Sequence, residues 1–139
     1  MFGAIEFFSG RFHYLECPDK FNGNTYRLFL EQLLKNYKGP IYLIEDGAPY
    51  HRSADLKQFK EAMLASGRLF VERLPTYSPD KNPIEKLWKN TKKRATHLKY
   101  FPTFDTLRAA VLQAFNHFLN DVLSVVCVMS KLRKTAGLA

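Results

Sequence analysis

A chain of 139 residues has room for one compact domain, and can bury roughly two thirds of its unfolded surface without help from metals or disulfides. Lys and Arg number 21 against 13 Asp and Glu, giving a net charge of +8 that favours a polyanion such as nucleic acid as partner. Cys17 and Cys127 form no CxxC pair and no Cys/His ligand spacing, which argues against a structural zinc site and points to free, mostly buried thiols in a reducing cytosol.

The apolar N-terminus is interrupted by Glu6 and has no basic leader, so it reads as a strand and not as a signal peptide. Residues 3–8 and 11–16 are rich in aromatic and β-branched residues and flank Ser9-Gly10, a pattern that predicts an antiparallel hairpin. Tyr26, Phe29, Leu30, Leu33, Leu34 and Tyr37 recur at helical spacing, with Asn24 as the expected N-cap and Gly39-Pro40 as the stop. Residues 41–44 form a continuous apolar run, expected as a strand covered on both faces and ending at Asp46. Ser53 is positioned to cap a helix carrying Leu56, Phe59, Met63 and Leu64 inward, and a strand is expected over residues 68–74.

Asn82 and Pro83 supply an N-cap and a first-turn proline for the next helix, with Ile84, Leu87, Trp88, Thr91, Ala95 and Leu98 on its apolar face. Thr103 opens a helix with Phe104, Leu107, Val111, Ala114 and Phe118 inward, and a shorter one is expected over residues 122–132. No apolar run approaches the roughly 20 residues of a membrane-spanning helix, so no membrane segment is expected. The alternation of strands and helices gives an α/β fold in one domain over residues 1–139. In such sheets, ligands bind beyond the carboxyl ends of the strands, where Asp46 and the loop after Leu74 emerge.

Two carboxylates carry the chemical reading. Asp46 ends a strand and Glu85 opens a helix. Carboxylate oxygens suit Mg²⁺, and paired ions can activate a hydroxyl while stabilising the departing oxygen of a phosphodiester. Each residue also has a purely structural reading. Asp before Gly47 fits a turn that caps local N–H groups, and Glu85 stands where the third position of a capping box with Asn82 would be. His51 could orient a phosphate or the flanking loop, or be an ordinary helix-entry histidine. Lys81, Lys86, Lys89, Lys92, Lys93 and Arg94 cluster around the Glu85 helix and suit DNA phosphates, although a charge run is often just a solvated face. Tyr77 and Trp88 could stack on bases, with core packing favoured for Trp88. No Walker loop, dinucleotide fingerprint, GxSxG elbow or HExxH pair is present, which leaves nucleotide-driven, redox, serine-hydrolase and zinc-protease readings without support.

Leu43-Ile44-Glu45-Asp46-Gly47-Ala48-Pro49-Tyr50-His51 and the stretch from Leu74-Pro75-Thr76-Tyr77-Ser78-Pro79 through Asp80-Lys81-Asn82-Pro83-Ile84-Glu85-Lys86-Leu87-Trp88 resemble the catalytic domain of DDE transposases of the mariner-like superfamily, in its bacterial insertion-sequence branch. Phe2-Gly3-Ala4-Ile5, Ser9-Gly10-Arg11-Phe12 and Lys92-Lys93-Arg94 extend the resemblance over nearly the whole chain. It implies an RNase H-like, integrase/transposase-type mixed sheet flanked by helices. It further implies Asp46 as the second catalytic aspartate, Glu85 as the final acid, and Mg²⁺ or Mn²⁺ bound by both. The implied activity is endonucleolytic cleavage at transposon ends followed by transfer to target DNA, in a bacterial, nucleoid-associated setting.

The family's first aspartate belongs to a central strand upstream of the hairpin, and no Asp precedes Asp19 here. Gly47 stands where many relatives carry Asn. The resemblance therefore implies a domain missing its first central strand, whose activity needs an upstream segment and whose exposed sheet edges invite pairing with that segment or, as a homo-oligomer, with a second copy of the chain. A non-catalytic DNA-binding or regulatory transposase remnant is the alternative, and a self-contained RNase H-like nuclease a third.

Overall fold

Asn22, not Asn24, starts the first helix. Its side chain accepts from Thr25 N–H while the Thr25 hydroxyl accepts from Asn22 N–H, a reciprocal box that fixes α1 over Gly23–Asn36. The computed structural model describes every residue but Asp19, Tyr77 and Ala139, and of Pro79 only the backbone, so the base-stacking expectation for Tyr77 lies outside the described residues. In chain order the elements are β1 (Phe2–Ile5), β2 (Phe12–Leu15), α1, β3 (Ile41–Glu45), a 3₁₀ turn (Pro49–Arg52), α2 (Ala54–Ala65) and β4 (Leu69–Arg73). A second 3₁₀ turn (Pro79–Lys81), α3 (Pro83–Thr96), α4 (Phe104–Asn120), α5 (Val122–Val128) and α6 (Ser130–Thr135) follow. The strands form two small sheets, β1 with β2 and β3 with β4, flanked by helices, which is the mixed α/β class expected.

Two compact units divide the chain, Met1–Phe2 with Tyr14–Pro79 and Gly3–His13 with Asp80–Ala139. In the first, β3 and β4 pair in parallel from Ile41↔Leu69 to Glu45↔Arg73, joined through α2. Its core gathers Phe2, Tyr26, Phe29, Leu30, Leu33, Leu56 and Leu69. Burial of each such side chain contributes about 1.5–3 kcal/mol. Arg68, just before β4, turns its guanidinium onto the last carbonyls of α1, donating to Leu34 O at 3.0 Å and Tyr37 O at 2.8 Å, with Lys38 O a further acceptor. A cation there satisfies groups a helix end leaves unpaired and complements its dipole.

In the second unit Leu87, Thr91 and Ala95 of α3 are buried, as are Ala114, Phe115 and Phe118 of α4, with Phe12, Val125 and Met129. Trp88 is half-buried, its ring 6.1 Å from that of Phe12 and 5.5 Å from that of Phe115. Gly3 passes against it so closely that a Cβ there would lie 2.6 Å from the indole.

Several expectations are corrected. The hairpin turn is wider than Ser9-Gly10: Glu6 N–H donates to Arg11 O and Gly10 N–H to Glu6 O, with Gly10 at φ +79°. β3 is covered on one face only, leaving Tyr42 74% and Ile44 64% exposed, because α2 packs on the face that carries Glu45. Leu64 and Phe104 are exposed, and Leu98 lies past the end of α3 with a positive φ and 93% exposure. The expected helix over residues 122–132 is two, because Met129 closes α5 and buries itself before α6 begins. Cys17 is half-buried and Cys127 exposed, both free. No single helix among the described residues is long and apolar enough to cross a membrane.

Ser53 does stand at the N-cap of α2, but its hydroxyl makes no capping bond and is buried without a partner among the described residues. Ser53→Ala is therefore expected to change stability by less than about 0.5 kcal/mol, while Asn22→Ala costs about 1 kcal/mol, as loss of a working cap does. Urea unfolding of the two variants beside the native chain checks the contrast.

Candidate active site

Strand alternation sends Glu45 inward and Asp46 toward solvent. Glu45 is 6% exposed, and a carboxylate there must recover the hydration it loses. Lys60 of α2 donates to both of its oxygens at 2.7 and 2.8 Å, and the Tyr26 hydroxyl of α1 donates to Oε2 at 3.0 Å. His51 Nδ1 lies 3.5 Å from the same oxygen. Burial alone would push the Glu45 carboxyl up, but hydrogen bonds from His51 and Lys60 outweigh it and hold it below the ordinary glutamate value. Burial, then the Glu45 charge, keeps the Tyr26 phenol protonated far above its usual range.

Asp46, one residue on, has a side chain 45% exposed. Its Oδ1 accepts from Ala48 N–H at 3.0 Å, the local turn that Asp-Gly sequences favour. His51 is buried in the 3₁₀ turn that follows, its Nδ1 3.1 Å from the Asp46 carbonyl and 3.8 Å from Asp46 Oδ1. A carbonyl only accepts, so Nδ1 carries the proton of this bond. The ring stacks on Tyr26 at 4.2 Å and meets Tyr50 edge-on at 4.5 Å. Beside this network a cleft of about 460 Å³ is walled by Arg52, Lys57, Glu61 and Arg73, with Glu45 and Lys60 within it.

In the second unit Asn82 caps α3 by accepting from Ile84 N–H at 3.4 Å, and Pro83 takes the first turn. Asn82 closes no box with Glu85, whose exposed side chain has no hydrogen bond or ion pair among the described residues. Lys81, Lys89, Lys92, Lys93 and Arg94 are exposed and Lys86 is half-buried. Asp46 and His51 thus belong to the first unit, Glu85 and the cationic residues to the second.

No three acidic, His or Cys side chains among the described residues converge into a metal-binding cluster. Asp46 and Glu85 are nevertheless donors of the type that Mg²⁺ and Mn²⁺ take, each on a side chain open to solvent. The Glu45–Lys60–Tyr26 network was not read from the sequence. Two signals for it exist: Glu45 keeps the parity of Ile41 and Leu43, and Lys60 stands four residues after Leu56 on the inward face of α2.

A family model described as DDE superfamily endonuclease matches residues 1–108, a span that includes both Asp46 and Glu85. Comparison with curated proteins and with solved structures gave no match.

Removing one partner of the buried pair leaves the other charge uncompensated. Lys60→Met is expected to destabilise the chain by about 3–5 kcal/mol, and Lys60→Met with Glu45→Gln to recover most of that loss, as read by urea unfolding. Because the folded Glu45 carboxyl is held below its ordinary value of 4.5, its stabilisation is complete above that pH and is lost as pH falls through the lower folded value. The gap between native chain and Glu45→Gln narrows accordingly in acid titration.

Proposed function

Since this chain belongs to the DDE superfamily of endonucleases, we propose that it carries part of a DNA transposase catalytic site, in the mariner-like, bacterial insertion-sequence branch. The match over residues 1–108 carries this reading, because that span holds both acids that the motif resemblance singles out. Residues 1–139 act as one catalytic domain, with Asp46 as the second acid of the triad and Glu85 as the last. Each would serve as a ligand to Mg²⁺ or Mn²⁺. When bound, such an ion supplies Lewis-acid activation of a hydroxyl and charge stabilisation at the phosphodiester.

The chain's own contribution is placement. The Asp46 turn leaves its second carboxylate oxygen outside the Ala48 bond. The Asn82-Pro83 start of α3 sets Glu85 on a first helical turn with no competing partner among the described residues. Lys81, Lys86, Lys89, Lys92, Lys93 and Arg94 are proposed to bind the phosphates of transposon-end and target DNA. His51, only 7% exposed, can act on DNA only through the loop that it holds. The first acid of the triad comes from outside these residues, from an upstream segment that a second copy of this chain, lacking the same aspartate, could not replace.

Co-expression with an upstream strand bearing an Asp is expected to give Mg²⁺-dependent nicking and strand transfer that Asp46→Asn or Glu85→Gln abolishes. DNA binding without any cleavage in that assembly would favour the non-catalytic, regulatory reading instead. For the chain alone, binding is expected to weaken with salt. Replacing Lys89, Lys92 and Lys93 together by Ala is expected to flatten the slope of log K against log salt by roughly 2 to 3, at about 0.9 for each phosphate no longer neutralised. Fluorescence anisotropy across a salt series measures it.

A further inference from the structure

We propose that His51 is a positioning residue for Asp46: its Nδ1–H grips the Asp46 carbonyl and so sets the turn that presents the Asp46 carboxylate. This rests in part on the reading of Asp46 as a metal ligand. Beside the backbone bond from His51 N–H to Ala48 O, three bonds that involve a side chain tie the segment after β3 to itself. Ala48 N–H donates to Asp46 Oδ1, the His51 ring to Asp46 O, and Arg52 Nη2 to Gly47 O at 3.3 Å. Of these three, only the His51 bond ties the loop to the buried core, since the Arg52 bond is exposed and the Ala48 bond is local.

The imidazole is held on every side the structure describes. Its side chain is 5% exposed, stacked on Tyr26 at an interplanar angle of 16° and flanked by Tyr50. Tyr26 is anchored through its hydroxyl to Glu45, and Glu45 is anchored by Lys60. Side-chain order therefore passes from a buried ion pair through a phenol and an imidazole to a backbone carbonyl, one bond from the Asp46 α-carbon. A histidine that served only the Glu45 charge would keep its closest acceptor there, yet Nδ1 lies 3.1 Å from the Asp46 carbonyl and 3.5 Å from Glu45 Oε2. A histidine that met phosphate directly would need an exposed ring.

The two amide residues separate these roles, because Asn places its nitrogen near the Nδ1 position and Gln near that of Nε2. In the full chain, His51→Asn is expected to keep Ala48 amide exchange and Mn²⁺ affinity within about threefold of native. His51→Gln is expected to speed Ala48 exchange roughly fivefold, the loss of about one hydrogen bond, and to weaken Mn²⁺ at least tenfold, as loss of an outer-shell partner does. Thermal midpoints recorded beside them separate positioning from general destabilisation. Equal behaviour of the two variants, or better retention by Gln, overturns the proposal.

Long-range ¹H–¹⁵N spectra of the native chain test the same bond without a substitution. A proton on His51 Nδ1 is the expected result, and an Nδ1 without one overturns the proposal even if neither variant folds. A native chain that binds no Mn²⁺ would overturn the metal reading of Asp46 alone, and the exchange and tautomer results would still decide the positioning.

Discussion

Everything near the carboxyl end of β3 is arranged around one constraint, a glutamate charge that the fold takes out of water. Glu45 meets Lys60 from α2, Tyr26 from α1 and His51 from the 3₁₀ turn, so three separate elements converge on one side chain. Such a pair adds little net stability when both partners are present, since desolvation offsets most of the attraction. Its larger effect is on register. A slip of β3 by one residue would bring Ile44 or Asp46 to the inward position and leave Lys60 facing a side chain of the wrong kind or length.

That arrangement divides two adjacent acids between two tasks. Glu45 is committed to the interior, where its charge is matched. Asp46 follows on the opposite face with nearly half its side chain in solvent and one oxygen engaged by its own turn. Strand alternation turns Glu45, the last residue of β3, inward, and the turn that starts at Asp46 holds the next carboxylate partly in solvent. This division places an open carboxylate at the edge of a rigid, satisfied network, a sounder support than a free loop would be. A similar division holds at Glu85, where the cap of α3 is completed by Asn82 and the glutamate is left unengaged among the described residues.

The turn at Asp46 and the helix start that carries Glu85 were legible in the sequence because turn and helix-start chemistry is local. The caps at Asn82 and Thr103 were legible for the same reason. Asn24 is not the cap of α1 because Thr25 completes its box with Asn22, which moves the helix start two residues upstream. The apolar run of β3 could not say which of its faces would be covered, and Tyr42 and Ile44 are left in the open. Leu98 and Phe104 fit a helical stripe on paper, yet α3 ends before one and the other sits at the exposed start of α4. The Glu45 network stayed hidden because its partners are distant in sequence: parity places Glu45 and Lys60 inward, but it does not say that they meet each other and Tyr26.

The second unit is assembled from the two ends of the chain. Arg133 of α6 donates to the carbonyls of Phe7 and Phe8 in the hairpin turn, across almost the whole sequence. On the ribosome the hairpin turn is synthesised well before α6. The hairpin turn waits unsatisfied while some 120 residues are synthesised, about 6–24 s at 5–20 residues per second. Closing so long a loop comes late and slowly. Even then Phe8 keeps 72% of its surface in solvent, so α6 fastens the backbone of the turn and leaves an apolar side chain within reach of a chaperone or a neighbouring chain.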